Sequence, residues 1–118
     1  MIIDETLRLY LSVWAFSRRA EQDTQIGNYR IPKGARIMVS PYVTHRLPEF
    51  WPNPEEFQPL RFSPEAKANR PNHAYVPFGA GSRQCIGKRF AQLELQIVIP
   101  MILREFHLTC LLYTSRCV

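Results

Sequence analysis

The sequence contains no apolar run approaching the roughly 20 residues that span a bilayer, so no transmembrane segment is expected in it. It has no basic-then-apolar opening of the signal-peptide kind. Met1-Ile2-Ile3-Asp4-Glu5 runs straight into a helical pattern with no cap or leader, and the chain is expected to begin inside a longer gene. Cysteine is scarce: three residues, an odd number, with no C-x-x-C pair. The three histidines (His45, His73, His107) are scattered. This pattern argues against a zinc site and against a disulfide framework. There is no run of Lys or Arg and no recurrent aromatic–basic pattern, so the net charge of +5 does not point to nucleic acid. Internal repeats and low-complexity tracts are absent.

What is present is ordinary for one small globular domain. The 118 residues are 46% hydrophobic and 21% charged. Most of the excess positive charge reads as a solvated surface. One cluster is local: Arg83, Lys88 and Arg89 flank Cys85.

The first eleven residues read as a helix, with Ile3, Leu7 and Leu11 at four-residue spacing and Glu5 and Arg8 three apart on one face. Residues 12–31 read as short strands. Trp14 and Phe16 alternate with smaller residues, and Ile26-Gly27-Asn28-Tyr29 holds a turn signal. Pro32-Lys33-Gly34 is a second turn, and Arg36 to Ser40 a further strand. From Leu47 to Pro77 seven prolines punctuate the chain (48, 52, 54, 59, 64, 71 and 77). Proline removes a donor and fixes φ, so this stretch is expected to be an irregular coil that wraps something. Residues 78–87 form a Gly-rich turn around Cys85. Residues 88–106 read as one long helix with Phe90, Leu93, Ile97, Met101 and Phe106 near one face and Pro100 inside.

The last nine residues, Cys110 to Val118, read differently. Back-translated, they resemble an inverted sequencing-adapter end followed by a stop. Residues 110–118 are therefore expected to be a non-native tail, which would leave Cys85 as the only genuine cysteine.

The most informative segment is Phe78-Gly79-Ala80-Gly81-Ser82-Arg83-Gln84-Cys85-Ile86-Gly87. A lone cysteine among glycines suits a metal ligand or a nucleophile. An iron–thiolate bond needs an ionised sulfur, and a helix N-terminus favours the anion through its free N–H groups and dipole. Glycines at 79, 81 and 87 let the loop turn tightly and bring bare backbone close to a flat ligand. Amides after Cys85 can point at the sulfur and tune the metal. A buried free cysteine in a glycine turn would explain a Cys–Gly pair, but not the whole spacing F-x-x-G-x-R-x-C-x-G.

With that spacing the chain resembles the cytochrome P-450 family of haem-thiolate monooxygenases. Glu5-Thr6-Leu7-Arg8 is similar to the family's E-x-x-R helix. Pro59-Leu60-Arg61-Phe62 is similar to its P-E-R-F segment, with Leu60 where glutamate is common. His45-Arg46 and residues 50–57 resemble the coil that precedes that segment and read as structural. The fold implied is mainly α with small β-sheets (α+β), the C-terminal portion of the family's fold. Residues 1–109 would be its haem-binding part, incomplete at both ends.

The resemblance implies haem b (iron protoporphyrin IX) with Cys85 as axial iron ligand. Phe78 would shield the sulfur, Gly79, Ile86 and Gly87 would lie against the cofactor, and Arg83 and Arg18 would hold propionates. Arg19, the next residue on a strand, would face solvent. Glu5, Arg8 and Arg61 would form a buried charge network. Ser12, Val13, Trp14, Ala15 and Phe16 fall where the family lines its substrate pocket. The family usually has proline after a segment like Leu7-Arg8-Leu9-Tyr10, where this chain has Leu11-Ser12. Arg83, Lys88 and Arg89 would face an electron-transfer partner, a ferredoxin or a flavoprotein reductase.

The parent protein would insert one atom of O2 into an apolar organic substrate with NAD(P)H-derived electrons. No catalytic residue beyond the haem ligand would lie in this chain, which alone would be inactive. A bacterial parent would be cytoplasmic, and the resemblance leaves a membrane anchor of the parent open. Two other readings compete. One is a haem-binding or haem-sensing module without turnover. The other is a cysteine-nucleophile enzyme with His73 as base, for which no accompanying signature exists.

Overall fold

A computed structural model describes residues 1–109. Residues 110–118, read above as a non-native tail, lie outside the described residues. Residues 1–84 make one unit, and the residues from Cys85 onward make a second.

The first unit opens with α1 (Ile2–Leu9). Its buried face is Glu5, Arg8 and Leu9 rather than the apolar stripe that the spacing suggests, and Ile3 and Leu7 are only half-buried. Two small antiparallel sheets follow. Strand β1 (Phe16–Arg19) pairs with β4 (Arg36–Val39), setting Phe16 opposite Val39 and Arg18 opposite Ile37. Between them β2 (Thr24–Ile26) and β3 (Tyr29–Ile31) form a hairpin. Gly27 opens its two-residue turn at φ +57°, where a side chain would be strained. Residues 11–15 are not a strand. The Trp14 carbonyl instead accepts the Ser40 hydroxyl at 3.0 Å and the Tyr42 N–H at 3.3 Å, which uses it up in a local clasp.

The proline-rich stretch is irregular but holds short helical turns that a proline count does not reveal. Just before it, Ser40 caps α2 (Pro41–Thr44). Within it Ser63 caps α3 (Pro64–Ala68), after a 3-10 turn over Pro59–Phe62. In each, proline stands in the first turn, where its missing N–H costs nothing. The stretch wraps an aromatic core of Trp51, Phe62 and Tyr75. The Phe62 and Tyr75 rings are 4.7 Å apart, and those of Trp51 and Phe62 5.8 Å. Arg70 lays its guanidinium 4.1 Å from the Trp51 ring centre and 4.6 Å from that of Phe62.

The second unit is α4 (Lys88–Glu105), 18 residues with Pro100 inside. Phe90, Leu93, Ile97, Met101 and, just past the helix, Phe106 are all exposed. No helix among the described residues is long and apolar enough to cross a membrane.

Candidate functional site

A carboxylate and a guanidinium with no solvent access must satisfy every polar atom locally, or the fold loses several kcal/mol. Glu5 and Arg8 are both fully buried on α1. Arg8 donates Nε to Glu5 Oε2 at 2.7 Å and Nη2 to Oε1 at 2.9 Å, a two-pronged pair. Its remaining N–H groups reach the carbonyls of His45 (2.8 Å), Pro54 (2.7 Å) and Glu56 (3.1 Å). All five donors of the guanidinium are thus used. Glu5 Oε1 also accepts the Gln58 N–H at 2.8 Å and lies 3.4 Å from Arg61 Nε. Arg61 donates Nη2 to the Asn53 carbonyl at 2.8 Å. Burial and the Arg8 charge lower the Arg61 pKa, while the Glu5 and Glu56 carboxylates work against that shift. One helix turn therefore gathers the carbonyls of a coil about fifty residues away in sequence.

The same coil fixes the leg that enters the Gly-rich loop. Tyr75 donates its hydroxyl to the Asp4 carbonyl at 2.9 Å. Burial raises the Tyr75 pKa, so the phenol keeps its proton. His45, fully buried, accepts the Val76 N–H on Nε2 at 2.8 Å. An accepting Nε2 carries no proton, so the neutral ring holds its proton on Nδ1, which finds no partner among the described residues. Burial, with the Arg8, Arg46 and Arg70 charges, lowers the His45 pKa to about 4, and the Arg8 backbone carbonyl works against that shift.

Beyond Val76 the chain turns repeatedly. Gly79 N–H donates to the Val76 carbonyl at 3.0 Å, and a 3-10 turn covers Gly81–Arg83. Gly79 and Gly81 take φ +72° and +70°, values that oppose a side chain. Phe78 is half-buried and Arg83 exposed. Arg83 and Arg18 line one cavity of about 640 Å³ with Arg19, Lys33, Glu21 and the β1 backbone. Four cationic side chains face one carboxylate there, so the cavity suits an anion. Arg19 is exposed and lines this cavity as well. The Arg18 guanidinium rests 4.8 Å from the Phe16 ring centre.

In the second unit Cys85 is a free, exposed cysteine, and Ile86 beside it is fully exposed. Gly87 caps α4. A Cβ added at Gly87 would lie 3.8 Å from the Cys85 sulfur, so its absence keeps that side of the sulfur open. Lys88 and Arg89 begin α4. Taken by themselves, the Cys85 thiol is a soft donor of the kind that suits iron, and the guanidiniums of Arg18 and Arg83 suit carboxylates such as the side chains of an iron porphyrin. Ser12, Val13 and Trp14 are exposed, and Ala15 and Phe16 half-buried. His73 is exposed, with no side-chain hydrogen bond among the described residues. The reading from sequence treated His45 as structural and passed over Arg70, Tyr75 and Val76. The only sequence signal for them is the aromatic and basic content of 70–76, which many loops share.

A family model for cytochrome P-450 matches residues 1–115. Among curated proteins, cytochrome P-450 4V2 of Homo sapiens is 49% identical over 105 residues, covering 89% of this chain and 20% of that protein. Probable cytochrome P-450 4aa1 of Drosophila melanogaster is 44% identical over 108 residues, covering 92% and 21%. This chain spans about a fifth of the length of these relatives. Among solved structures, retinoic acid-bound cyanobacterial CYP120A1 superposes with a TM-score of 0.83 at 36% identity, covering 87% of this chain and 24% of that one. The helices and small antiparallel sheets are those of that fold, and the chain belongs to the cytochrome P-450 family.

Proposed function

We propose that residues 1–109 are the haem-holding part of a monooxygenase, with Cys85 as the axial thiolate ligand. The observation that carries this reading is Cys85 itself: an unpaired, exposed thiol beside a glycine, at the end of the loop that places Arg83 on the cationic cavity. When bound, haem b supplies a redox-active iron that uses two electrons from a partner to put one atom of O2 into an apolar C–H bond.

Cys85 would hold the iron through a strongly electron-donating thiolate. Arg18 and Arg83 hold propionate carboxylates through charge-assisted hydrogen bonds. Phe78 would shield the sulfur once haem is bound, and Gly79, Ile86 and Gly87 would bring apolar surface and bare backbone to the porphyrin. Glu5, Arg8 and Arg61 do no chemistry; they tie the coil to α1 and so fix the leg that leads into the loop. Trp14 and Phe16, with Ser12, Val13 and Ala15, offer apolar surface to the substrate. Arg83, Lys88 and Arg89 attract the acidic face of an electron donor, a ferredoxin or a flavoprotein reductase, chiefly by raising its association rate.

Turnover would need the parts of these relatives that this chain, about a fifth of their length, does not span. The test is oxygen incorporation. The haem-loaded parent, given reductant, a donor protein and isotopically labelled O2, should place one labelled atom in an apolar substrate, and Cys85→Ser should abolish this. Undiminished incorporation by the Cys85→Ser protein would overturn the assignment.

A further inference from the structure

Three hydrogen bonds lead from the buried charge network to the Gly-rich loop by way of His45 and Val76, and one of them is made by the His45 ring. The His45 carbonyl accepts from Arg8 at 2.8 Å. The His45 ring accepts from the Val76 N–H at 2.8 Å. The Val76 carbonyl then accepts from the Gly79 N–H at 3.0 Å. The turn bonds continue from Gln84 N–H to the Gly81 carbonyl at 3.1 Å, and Cys85 is the next residue. The ring is fully buried and packed 5.2 Å from Tyr75 and 6.2 Å from Trp51, so it cannot swing to another acceptor geometry.

We propose that His45 is a positioning residue for the haem ligand: its unprotonated Nε2 sets the start of the loop by accepting the Val76 N–H, and its protonation releases that loop. The proposal rests on the reading of Cys85 as ligand. Once protonated, Nε2 becomes a donor facing another donor, and the bond to Val76 is lost. The charged groups that act on the ring all oppose its protonation, and the Arg8 backbone carbonyl alone favours it. The guanidiniums are those of Arg8, Arg46 and Arg70. Glu5 is taken up by Arg8, Gln58 and Arg61. Arg46 is paired with exposed Glu55 at 3.0 Å, and Tyr75 stays neutral. The imidazole thus holds the loop down to a pH of about 4. A buried histidine with a merely structural role would stabilise the core without linking the loop to acid.

Two substitutions separate the possibilities. Glutamine reaches about as far as Nε2, offers a carbonyl oxygen and does not titrate. Phenylalanine keeps an aromatic ring and removes the acceptor. In the haem-loaded protein, His45→Phe should speed amide exchange at Val76 on the order of tenfold or more, as a lost buried hydrogen bond does, and should lose part of the thiolate-type absorption at neutral pH. His45→Gln should restore both and move the acid loss of thiolate-type absorption to lower pH than in the unsubstituted protein. If the Gln variant loses that absorption at the unchanged pH, or if Val76 exchanges no faster in the Phe variant, the proposal falls. The Gln result decides even where the Phe variant does not fold. Cys85→Ala is the separate control. Thiolate-type absorption that persists in it overturns the ligand reading itself, whereas Val76 exchange reports on the His45 bond alone.

Discussion

Arg8 uses all five of its donors inside the protein, and Glu5 has no access to water. Removing one partner leaves the other charged, buried and unpaired. Arg8→Ala should therefore destabilise the fold by about 3–5 kcal/mol, measurable by denaturant unfolding of the haem-loaded protein. Arg8→Lys should recover little, because an ammonium cannot reproduce the forked geometry. Val76 and His45 add a pH dependence. The His45 pKa falls from its ordinary 6.5 to about 4 in the fold, so the unfolded chain binds more protons in between. Its contribution is complete above pH 6.5 and is lost as pH falls toward 4, up to about 3 kcal/mol in all. Unfolding free energies measured across that window should decline with acid, and the decline should shrink in His45→Gln. At this scale the sequence showed the ion pair through its E-x-x-R spacing. It did not show the His45 to Val76 bond, because a contact across 31 positions leaves no local pattern.

Elements were legible where a local rule acts alone. The hairpin turn at Gly27, the turn at Gly34 and the long helix after Cys85 follow from glycine and helical periodicity. Residues 12–15 were misread as strand because alternation cannot reveal that the Trp14 carbonyl is claimed by Ser40 and Tyr42. The short helices α2 and α3 hide among prolines, although Ser40 and Ser63 are their caps. Ser63→Ala should cost about 1 kcal/mol through loss of the 3.2 Å bond from Ala66 N–H, read as a lower midpoint in thermal unfolding. Gly79→Ala forces a side chain to φ +72° and should cost roughly 1–2 kcal/mol. It should also weaken haem binding more than Ser63→Ala does, because Gly79 lies in the loop that presents Arg83.

Over the whole molecule, the candidate site was legible as motifs and not as a surface. Cys85, Arg83 and Arg18 could each be named from spacing, but that Arg18 and Arg83 line a single cavity with Arg19 and Lys33 needs the fold. Arg19 is exposed, as strand alternation suggests, and it lines this cavity together with Arg18. Each propionate contact to a guanidinium should contribute about 1.5–3 kcal/mol. Arg18→Ala and Arg83→Ala should thus each weaken haem affinity by about tenfold or more, seen in competition with a haem-scavenging protein. Equal affinity in either variant would remove that arginine from the site.

The proposed haem site turns on one bond, between the Cys85 sulfur and iron. X-ray absorption at the iron edge of the haem-loaded protein measures it directly. One sulfur scatterer is expected in the iron's first coordination sphere, absent in Cys85→Ala. An iron with only nitrogen and oxygen neighbours in the unsubstituted protein, or a sulfur that survives the substitution, would contradict it.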